Sequence, residues 1–555
     1  MPKTQRRFRR RRAARQFRGN RRMRRIVATT AAVVVGETLM PQLRDGGRAL
    51  TIRCAEAGQA LSGTIQLSDV GTTVRGVQFN GIAENDYAGW SVSSAGDVNG
   101  DGLDDVLIGA PFAEPNGANS GQAYLIYGQA RSASLFGTAN LSDVGTTVGG
   151  VRFNGVAREN AGNSVASAGD VNGDGLDDML VGASWGPGQY GGPQYGGAYL
   201  IYGQGSDAPF SATIELSDVG TTVPGVRFNG FDSRSRSGES VASAGDVNGD
   251  GLDDVLIGTY ARGASFMIYG QDAGTPLTGT IELSDVGSTV EGVRFNGPLP
   301  REVSSAGDVD GDGVGDVLIG DEDDTVYLIY GQDAGSLSGT IELYDVGTVV
   351  PGVKFSAESD RGGFSAWSVS SAGDVNGDGL DDMLFRGFSH SNGLNLGKSY
   401  LIYGQDSGAP LSGVIELSDV GASVDGVKFN GQHYQIIGRS VNSAGDVDGD
   451  GLGDLLISTG VDTFLVYGQD AGRPLPGTIE LFEVGTTVPG ARFTGSGPLL
   501  PSSAGDVNGD GFADVIIGAP NSGQAFLIYG VPEPAMAVLV GLGPLLLLLR
   551  RRGTT

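Results

Sequence analysis

The sequence predicts an all-β protein, a seven-bladed β-propeller of four-stranded blades. Three observations carry that expectation. Gly accounts for 96 of 555 residues, one sequence unit recurs seven times, and each copy holds short apolar runs divided by Gly, Asn and Asp. So much Gly in a chain that is still 39% hydrophobic argues for many tight turns between short strands. The absence of a strict Gly-X-Y period excludes collagen, and the recurring apolar clusters exclude disorder.

The elements of the unit follow in order. The first is typified by Thr64-Ile65-Gln66-Leu67-Ser68-Asp69-Val70-Gly71, followed by Gly76-Val77-Gln78-Phe79-Asn80-Gly81. The second is Ser91-Val92-Ser93-Ser94-Ala95-Gly96-Asp97, which runs through an acidic loop into Val106-Leu107-Ile108-Gly109. The third is Ala123-Tyr124-Leu125-Ile126-Tyr127-Gly128. These supply four candidate strands: the Ile-rich, the Ser-Val, the Val-Leu-Ile and the Tyr-Leu-Ile-Tyr segments. No helical periodicity is sustained within the units. The acidic loops start at Asp97, Asp170, Asp246, Asp308, Asp374, Asp446 and Asp506, a mean spacing of about 68 residues. Small residues such as Ala95 and Gly96 suit the crowded axis of a propeller, and Phe79 and Tyr127 suit the space between blades. An Ile-rich piece precedes the first loop at 64–81, and none follows Tyr529. The chain start is therefore expected to complete the last blade and close the ring, which removes open edge strands.

Each loop reads Asp-x-Asp/Asn-x-Asp-Gly-x-x-Asp. Positions 1, 3, 5 and 9 offer side-chain oxygens, position 7 a carbonyl, and Gly at position 6 allows the sharp turn. The seven sets are Asp97, Asn99, Asp101 and Asp105; Asp170, Asn172, Asp174 and Asp178; Asp246, Asn248, Asp250 and Asp254; Asp308, Asp310, Asp312 and Asp316; Asp374, Asn376, Asp378 and Asp382; Asp446, Asp448, Asp450 and Asp454; and Asp506, Asn508, Asp510 and Asp514. This chemistry is that of a hard cation taking six to eight oxygens. The expected cofactor is structural Ca²⁺, up to seven per chain, because Mg²⁺ holds its waters and demands tighter geometry. An EF-hand is excluded: loop 1 has Ile108 where Glu is needed, and no helices flank it.

Charge supports the metal. The net charge is −27, yet residues 1–26 hold 13 basic residues and no acid, and Arg550 to Arg552 add three more. Without those 16 basic residues, 27–549 carries −43. Such a surface repels nucleic acid phosphates and its own compact state unless cations neutralise it. Cys54 is the single cysteine, so no intrachain disulfide can form and metal is the available staple.

The units resemble FG-GAP repeats, the building blocks of the integrin α-chain head. Ile108-Gly109-Ala110-Pro111 and Ile517-Gly518-Ala519-Pro520 carry the Gly-Ala-Pro element, and Gly89-Trp90-Ser91-Val92 and Gly438-Arg439-Ser440-Val441 match the start of the repeat. The resemblance covers about residues 61–530. It implies a seven-bladed propeller, calcium on the loops of one face, and ligand binding on a propeller surface. Integrin α chains carry calcium loops in only some repeats, whereas all seven have one here. The Gly-Ala-Pro element decays to Phe385-Arg386-Gly387 and Ile457-Ser458-Thr459-Gly460. No leg region follows the seventh unit.

Residues 531–555 resemble a PEP-CTERM sorting signal. Val531-Pro532-Glu533-Pro534 precedes an apolar run, Ala535 to Leu549, and then Arg550-Arg551-Arg552. Fifteen helical residues span about 22 Å, short of the hydrocarbon core, and Pro544 weakens them further. A transient or short C-terminal membrane anchor is expected. The resemblance implies export to the envelope or surface of a Gram-negative bacterium. Residues 1–26 form a basic segment and 27–60 an export signal and linker, with Met23 an alternative start.

These readings predict a calcium-dependent extracellular or cell-surface binding and adhesion module, a monomeric propeller whose ligand is a protein or an exopolysaccharide. Nucleic acid is not expected as a partner. No catalytic motif is present: His390 and His433 are the only histidines, and neither sits in a nucleophile pattern. The chain is therefore not expected to be an enzyme. The alternatives are an envelope polysaccharide-active enzyme on a propeller scaffold and a passive structural coat protein. The insert Trp185 to Gly197, with Tyr190 and Tyr195, is an aromatic loop suited to sugar or protein contact.

Overall fold

A computed structural model describes residues 60–531 apart from short stretches, the longest being 186–194 and 357–367, together with three short strands in the N-terminal part. The chain divides into two compact units, Met1–Ala57 and Gly58–Thr555. In the first, Ala31–Val35, Thr38–Asp45 and Arg48–Leu50 form an antiparallel three-stranded sheet. The expected export signal and linker over 27–60 overlaps this segment. The C-terminal sorting segment from Pro532 onward, Cys54 and His433 lie outside the described residues.

The second unit is all-β and consists of seven sheets, each a blade. Blade 1 is representative. Its strands, from the axis outward, are Val92–Gly96, Asp105–Ala110, Gln122–Ile126, Gly150–Asn154 and Thr213–Glu215. The first four pair antiparallel and the fifth pairs parallel to the fourth. The expectation of four strands per blade is therefore corrected to five. The segment read as one Ile-rich piece holds two strands that go to different blades. Thr213–Glu215 closes the outside of blade 1, and after a 3₁₀ turn at Leu216–Asp218 the strand Gly225–Asn229 enters blade 2. Each outer connection thus stitches two blades together.

Burial follows position in the sheet. The second and third strands, such as Asp105–Ala110 and Gln122–Ile126, are buried along their whole length because blades cover both faces. The outermost strand alternates, as in Gly63–Gln66, because one face meets solvent. The apolar core is accordingly divided into seven clusters, one per interface. One of them joins Phe79, Ile516 and Leu527 of blade 7 to Val106, Ile108 and Tyr124 of blade 1. Innermost strands contact their neighbours around a closed ring, including Leu500–Gly505 of blade 7 against Val92–Gly96 of blade 1.

Closure uses the start of the unit at two places. Gly63–Gln66 pairs with Gly490–Thr494 as the fifth strand of blade 6, and Gly76–Asn80 pairs with Gln524–Ile528 as the fourth strand of blade 7. The Tyr467 hydroxyl donates to the Leu61 carbonyl at 2.7 Å across 406 positions. Hence both chain ends of the disc are held by ladder hydrogen bonds, and every middle strand is paired on both sides.

Candidate metal centres

The seven acidic loops connect the first and second strands of the seven blades, so they gather at one end of the disc. Their own carboxylates fold them. In loop 1 the Asp97 carboxylate accepts the N–H groups of Gly100, Asp101 and Gly102 at 2.7, 3.0 and 2.8 Å. The Asp101 carboxylate accepts the Leu103 N–H at 3.0 Å. The position-6 glycines need positive φ: Gly102 sits at +85° and Gly451 at +91°, where any side chain would be strained. Nothing lies within 4 Å of a Cβ built there, so conformation alone demands the glycine.

The ninth position is different from the rest. Asp105, Asp178, Asp254, Asp382, Asp454 and Asp514 are 0% exposed, and Asp316 is also buried. Each accepts the N–H of the Gly that ends the third strand. The pairs include Asp105 with Gly128 at 2.8 Å and Asp514 with Gly530 at 2.8 Å, and the same bond forms in the other five blades. Six of the seven also accept the position-2 Val N–H. This explains the recurring Tyr-Gly: a Cβ at Gly128 would meet the Asp104 carbonyl at 2.6 Å. Burial pushes the carboxyl of Asp105, Asp178, Asp254, Asp316, Asp382 and Asp514 up to about 8, and the neighbouring loop acids push the same way. Asp454 is likewise raised well above the usual carboxylate range by burial.

The donor set fits a hard divalent cation. In three loops the position-3 amide donates to the position-9 carboxylate, from Asn99 to Asp105 at 3.1 Å, from Asn172 to Asp178 at 3.5 Å and from Asn508 to Asp514 at 3.0 Å. The amide oxygens of Asn172 and Asn508 are left buried with no hydrogen-bond partner. An orphaned buried oxygen is costly unless something positive meets it. Where position 3 is Asp, carboxylates converge instead: oxygens of Asp308, Asp310 and Asp312, and of Asp446, Asp448 and Asp454, lie within 4.8 Å of one another. Grouped buried carboxylates and a spare amide oxygen suit an oxygen-seeking cation.

Sequence reasoning passed over the eighth position. There the N–H of each loop donates to the position-1 carbonyl of the preceding blade's loop: Asp104 to Asp506, Asp177 to Asp97, Asp253 to Asp170, Gly315 to Asp246, Asp381 to Asp308, Gly453 to Asp374 and Ala513 to Asp446. The bonds run right around the disc. In four interfaces the position-8 carboxylate adds a second bond, accepting the N–H of Asp97, Asp170, Asp308 or Asp506 at 2.6 to 2.9 Å. The signal was present in the sequence as an Asp at position 8 in four of seven loops, adjacent to a residue read as a ligand.

The FG-GAP repeat family matches the chain at residues 88–126, 161–201, 237–275 and 502–530. These are the first, second, third and seventh units. In the other three units the Gly-Ala element of the second strand reads Gly320-Asp321, Arg386-Gly387 and Ser458-Thr459. Integrin alpha pat-2 of Caenorhabditis elegans is 31% identical over 256 residues, 43% of this chain. Human integrin alpha-IIb is 32% identical over 179 residues, 31% of this chain.

Four of the seven units match FG-GAP repeats, and the chain is similar in sequence to integrin α chains.

A further integrin relative, alpha-4 of Xenopus laevis, is 29% identical over 247 residues. The matched stretches span only 18%, 15% and 20% of those three integrin chains, a small part of each. Among solved structures, BBS1N in complex with ARL6DN covers 83% of the chain at 9% identity and a TM-score of 0.39, too slight a likeness to add to the reading.

Other residues singled out from sequence are dispersed. His390 lies in the strand Asp382–Ser391 of blade 5, on the opposite end of its hairpin from the acidic loop. Trp185 takes the Arg236 guanidinium over its ring at 4.2 Å, Tyr195 is 42% exposed, and Tyr190 lies outside the described residues. No helix among the described residues is long and apolar enough to cross a membrane.

Proposed function

We propose that this propeller is a calcium-dependent binding and adhesion module of the cell surface, exported to the envelope of a Gram-negative bacterium, with Ca²⁺ held in up to seven loops at positions 1, 3, 5 and 9. The observation that carries the reading is the ring of seven acidic loops joined by hydrogen bonds, each with a buried position-9 carboxylate and two of them with a buried amide oxygen that lacks a partner. Likeness to integrin α chains supports the surface-binding role, and the Val531-Pro532-Glu533-Pro534 tail supports export. Catalysis finds no support in either histidine.

Extracellular calcium modules bind at roughly 10⁻⁴ to 10⁻³ M, so at about millimolar Ca²⁺ each site adds about 0.4–1.4 kcal/mol. Seven such sites together match a domain's whole stability, about 5–15 kcal/mol, in order of magnitude. Calorimetry of the full chain with and without chelator, alongside metal analysis, tests the metal. The expected result is a large loss of melting temperature on chelation and up to seven bound Ca²⁺. An unchanged melt with fewer than about three ions bound would reject it. Retention of the purified chain on immobilised bacterial surface material, lost on chelation, tests the adhesion role; retention that ignores calcium, or none at all, counts against it.

A further inference from the structure

A cleft of about 970 Å³ opens at the junction of blades 7 and 1. It is walled by the connection 81–87, which leaves blade 7 for the inner strand of blade 1, and by the connection 112–121 between the second and third strands of blade 1. Both connections lie at the opposite end of the strands from the acidic loops. The size suits a small ligand of one or a few rings.

One wall is aromatic. Tyr87 and Phe112 line the cleft, with ring centroids 5.3 Å apart, and Trp90 stands edge-on to both at 6.1 and 6.2 Å. The floor is polar and already organised. The Tyr124 hydroxyl donates to Gln122, whose amide donates to Asn154 at 2.6 Å, and Asn154 donates to Glu215 at 2.9 Å. Two non-glycine residues of the lining, Tyr87 at φ 53° and Asn119 at φ 49°, hold the left-handed conformation. For a bulky residue such as Tyr that geometry is strained, and strained residues gather at functional sites.

Arg152 differs from its counterparts in blades 2 and 6. The equivalent Arg227 in blade 2 is bound by the buried Glu159 at 3.1 Å, which also accepts the Tyr199 hydroxyl at 2.8 Å, and the cleft there shrinks to about 360 Å³. Arg492 in blade 6 is bound by Asp462 at 2.7 Å. Arg152 has no carboxylate partner among the described residues, and its Nε is buried with no acceptor. Asp86 and Glu114 stand on the rim; burial raises the Asp86 carboxyl, and the nearby Glu114 charge adds to it.

We infer that this cleft binds a neutral pyranosyl glycan. The sugar's C–H face would stack on Tyr87 and Phe112, and its hydroxyls would accept from Arg152 and donate to Asp86. A hydroxyl is both donor and acceptor, which suits a lining that offers the Arg152 guanidinium beside the Asp86 carboxylate, one oxygen of which already accepts the Ala83 N–H at 3.1 Å. Polyanions are disfavoured by Asp86, Glu114 and the acidic body of the molecule, and a cationic group by Arg152. The inference rests on the binding-module reading above and names its ligand class.

The test is saturation-transfer NMR and titration calorimetry on the full chain in millimolar calcium. The probes are the neutral oligosaccharides maltohexaose, cellohexaose, laminarihexaose, xylohexaose and chitohexaose, with polygalacturonate as the anionic arm and an Arg-rich peptide as the protein arm. At least one neutral probe is expected to bind, and Arg152→Gln and Phe112→Ala are each expected to weaken it by about tenfold or more. Arg227→Gln, in the filled cleft of blade 2, should leave binding unchanged. Melting curves of all variants establish folding, and Asp86→Asn replaces either variant that fails to fold. Silence across the neutral panel, binding indifferent to Arg152, or preference for polygalacturonate or the peptide would each overturn the inference. Continued calcium-dependent retention on bacterial surface material beside a silent panel would overturn the cleft alone; loss of both would overturn the adhesion reading with it.

Discussion

At the residue scale, the ninth loop position does two things at once. Its carboxylate is buried and anchors the end of the third strand, and in the proposed calcium sites it would also be a ligand of the ion. Asp178→Ala would leave the Val171 and Gly203 N–H groups without their acceptor, and a loss of about 2–3 kcal/mol is expected in calcium, read from the urea midpoint. The pH dependence follows from the raised carboxyls. In the cation-free protein these groups hold a proton up to about 8, whereas in the unfolded chain they release it near the ordinary value of about 3.9. Between those limits the folded state binds more protons than the unfolded, so stability in chelator should fall as pH rises from about 4 to 8. Calcium, which replaces those protons, should flatten the curve. A chelated protein that gains stability over the same range would contradict this account.

At the element scale, the loops are coupled to one another as well as to their own blades. Asp177 reaches back to the Asp97 N–H at 2.7 Å, while Ala513 at the same position donates only its backbone N–H to Asp446. Asp177→Ala is therefore expected to cost about 1 kcal/mol, and Ala513→Asp to gain about 0.5–1 kcal/mol in calcium by adding the missing clasp. Chemical denaturation of both variants checks the pair; equal effects of the same sign would remove the clasp from the argument. The outer connections work in the same way on a larger scale, since each pairs its first strand with one blade and its second with the next.

At the scale of the whole molecule, stability depends on closure. Gly63–Gln66 and Gly76–Asn80 join the start of the disc to blades 6 and 7, and Gly137–Asn140 adds the outermost strand of blade 7 by pairing with Gly76–Asn80. A chain beginning after residue 80 would expose the edges of Gly490–Thr494 and Gln524–Ile528, and aggregation or loss of cooperative melting is expected by size exclusion and calorimetry. A chain beginning at residue 58 keeps both strands and should melt as a single disc. If the shorter chain remained monomeric and melted alike, closure by these strands would not be what holds the ring.

Much of this was legible before any coordinates. The seven units, the acidic loops, the positive-φ glycines at position 6 and the return of part of the chain start to the last blade follow from local spacing and from the need to cover edges, so Gly102 and Gly76–Asn80 could be assigned by position alone, although Gly63–Gln66, expected in the last blade, belongs to blade 6. The fifth strand could not. Whether Thr213–Glu215 and Gly225–Asn229 are one strand or two depends on which blade lies beside each, and that is a long-range pairing. Tertiary packing likewise decided that Asp105 is buried beside Gly128, that Asp177 reaches another blade, and that Arg152 lacks the partner its copies Arg227 and Arg492 possess. Repetition in the sequence determines what each blade is made of, because turn chemistry and strand patterning are local. Differences among the copies acquire meaning only once the ring sets each side chain against its neighbours, because burial and pairing are properties of the surroundings.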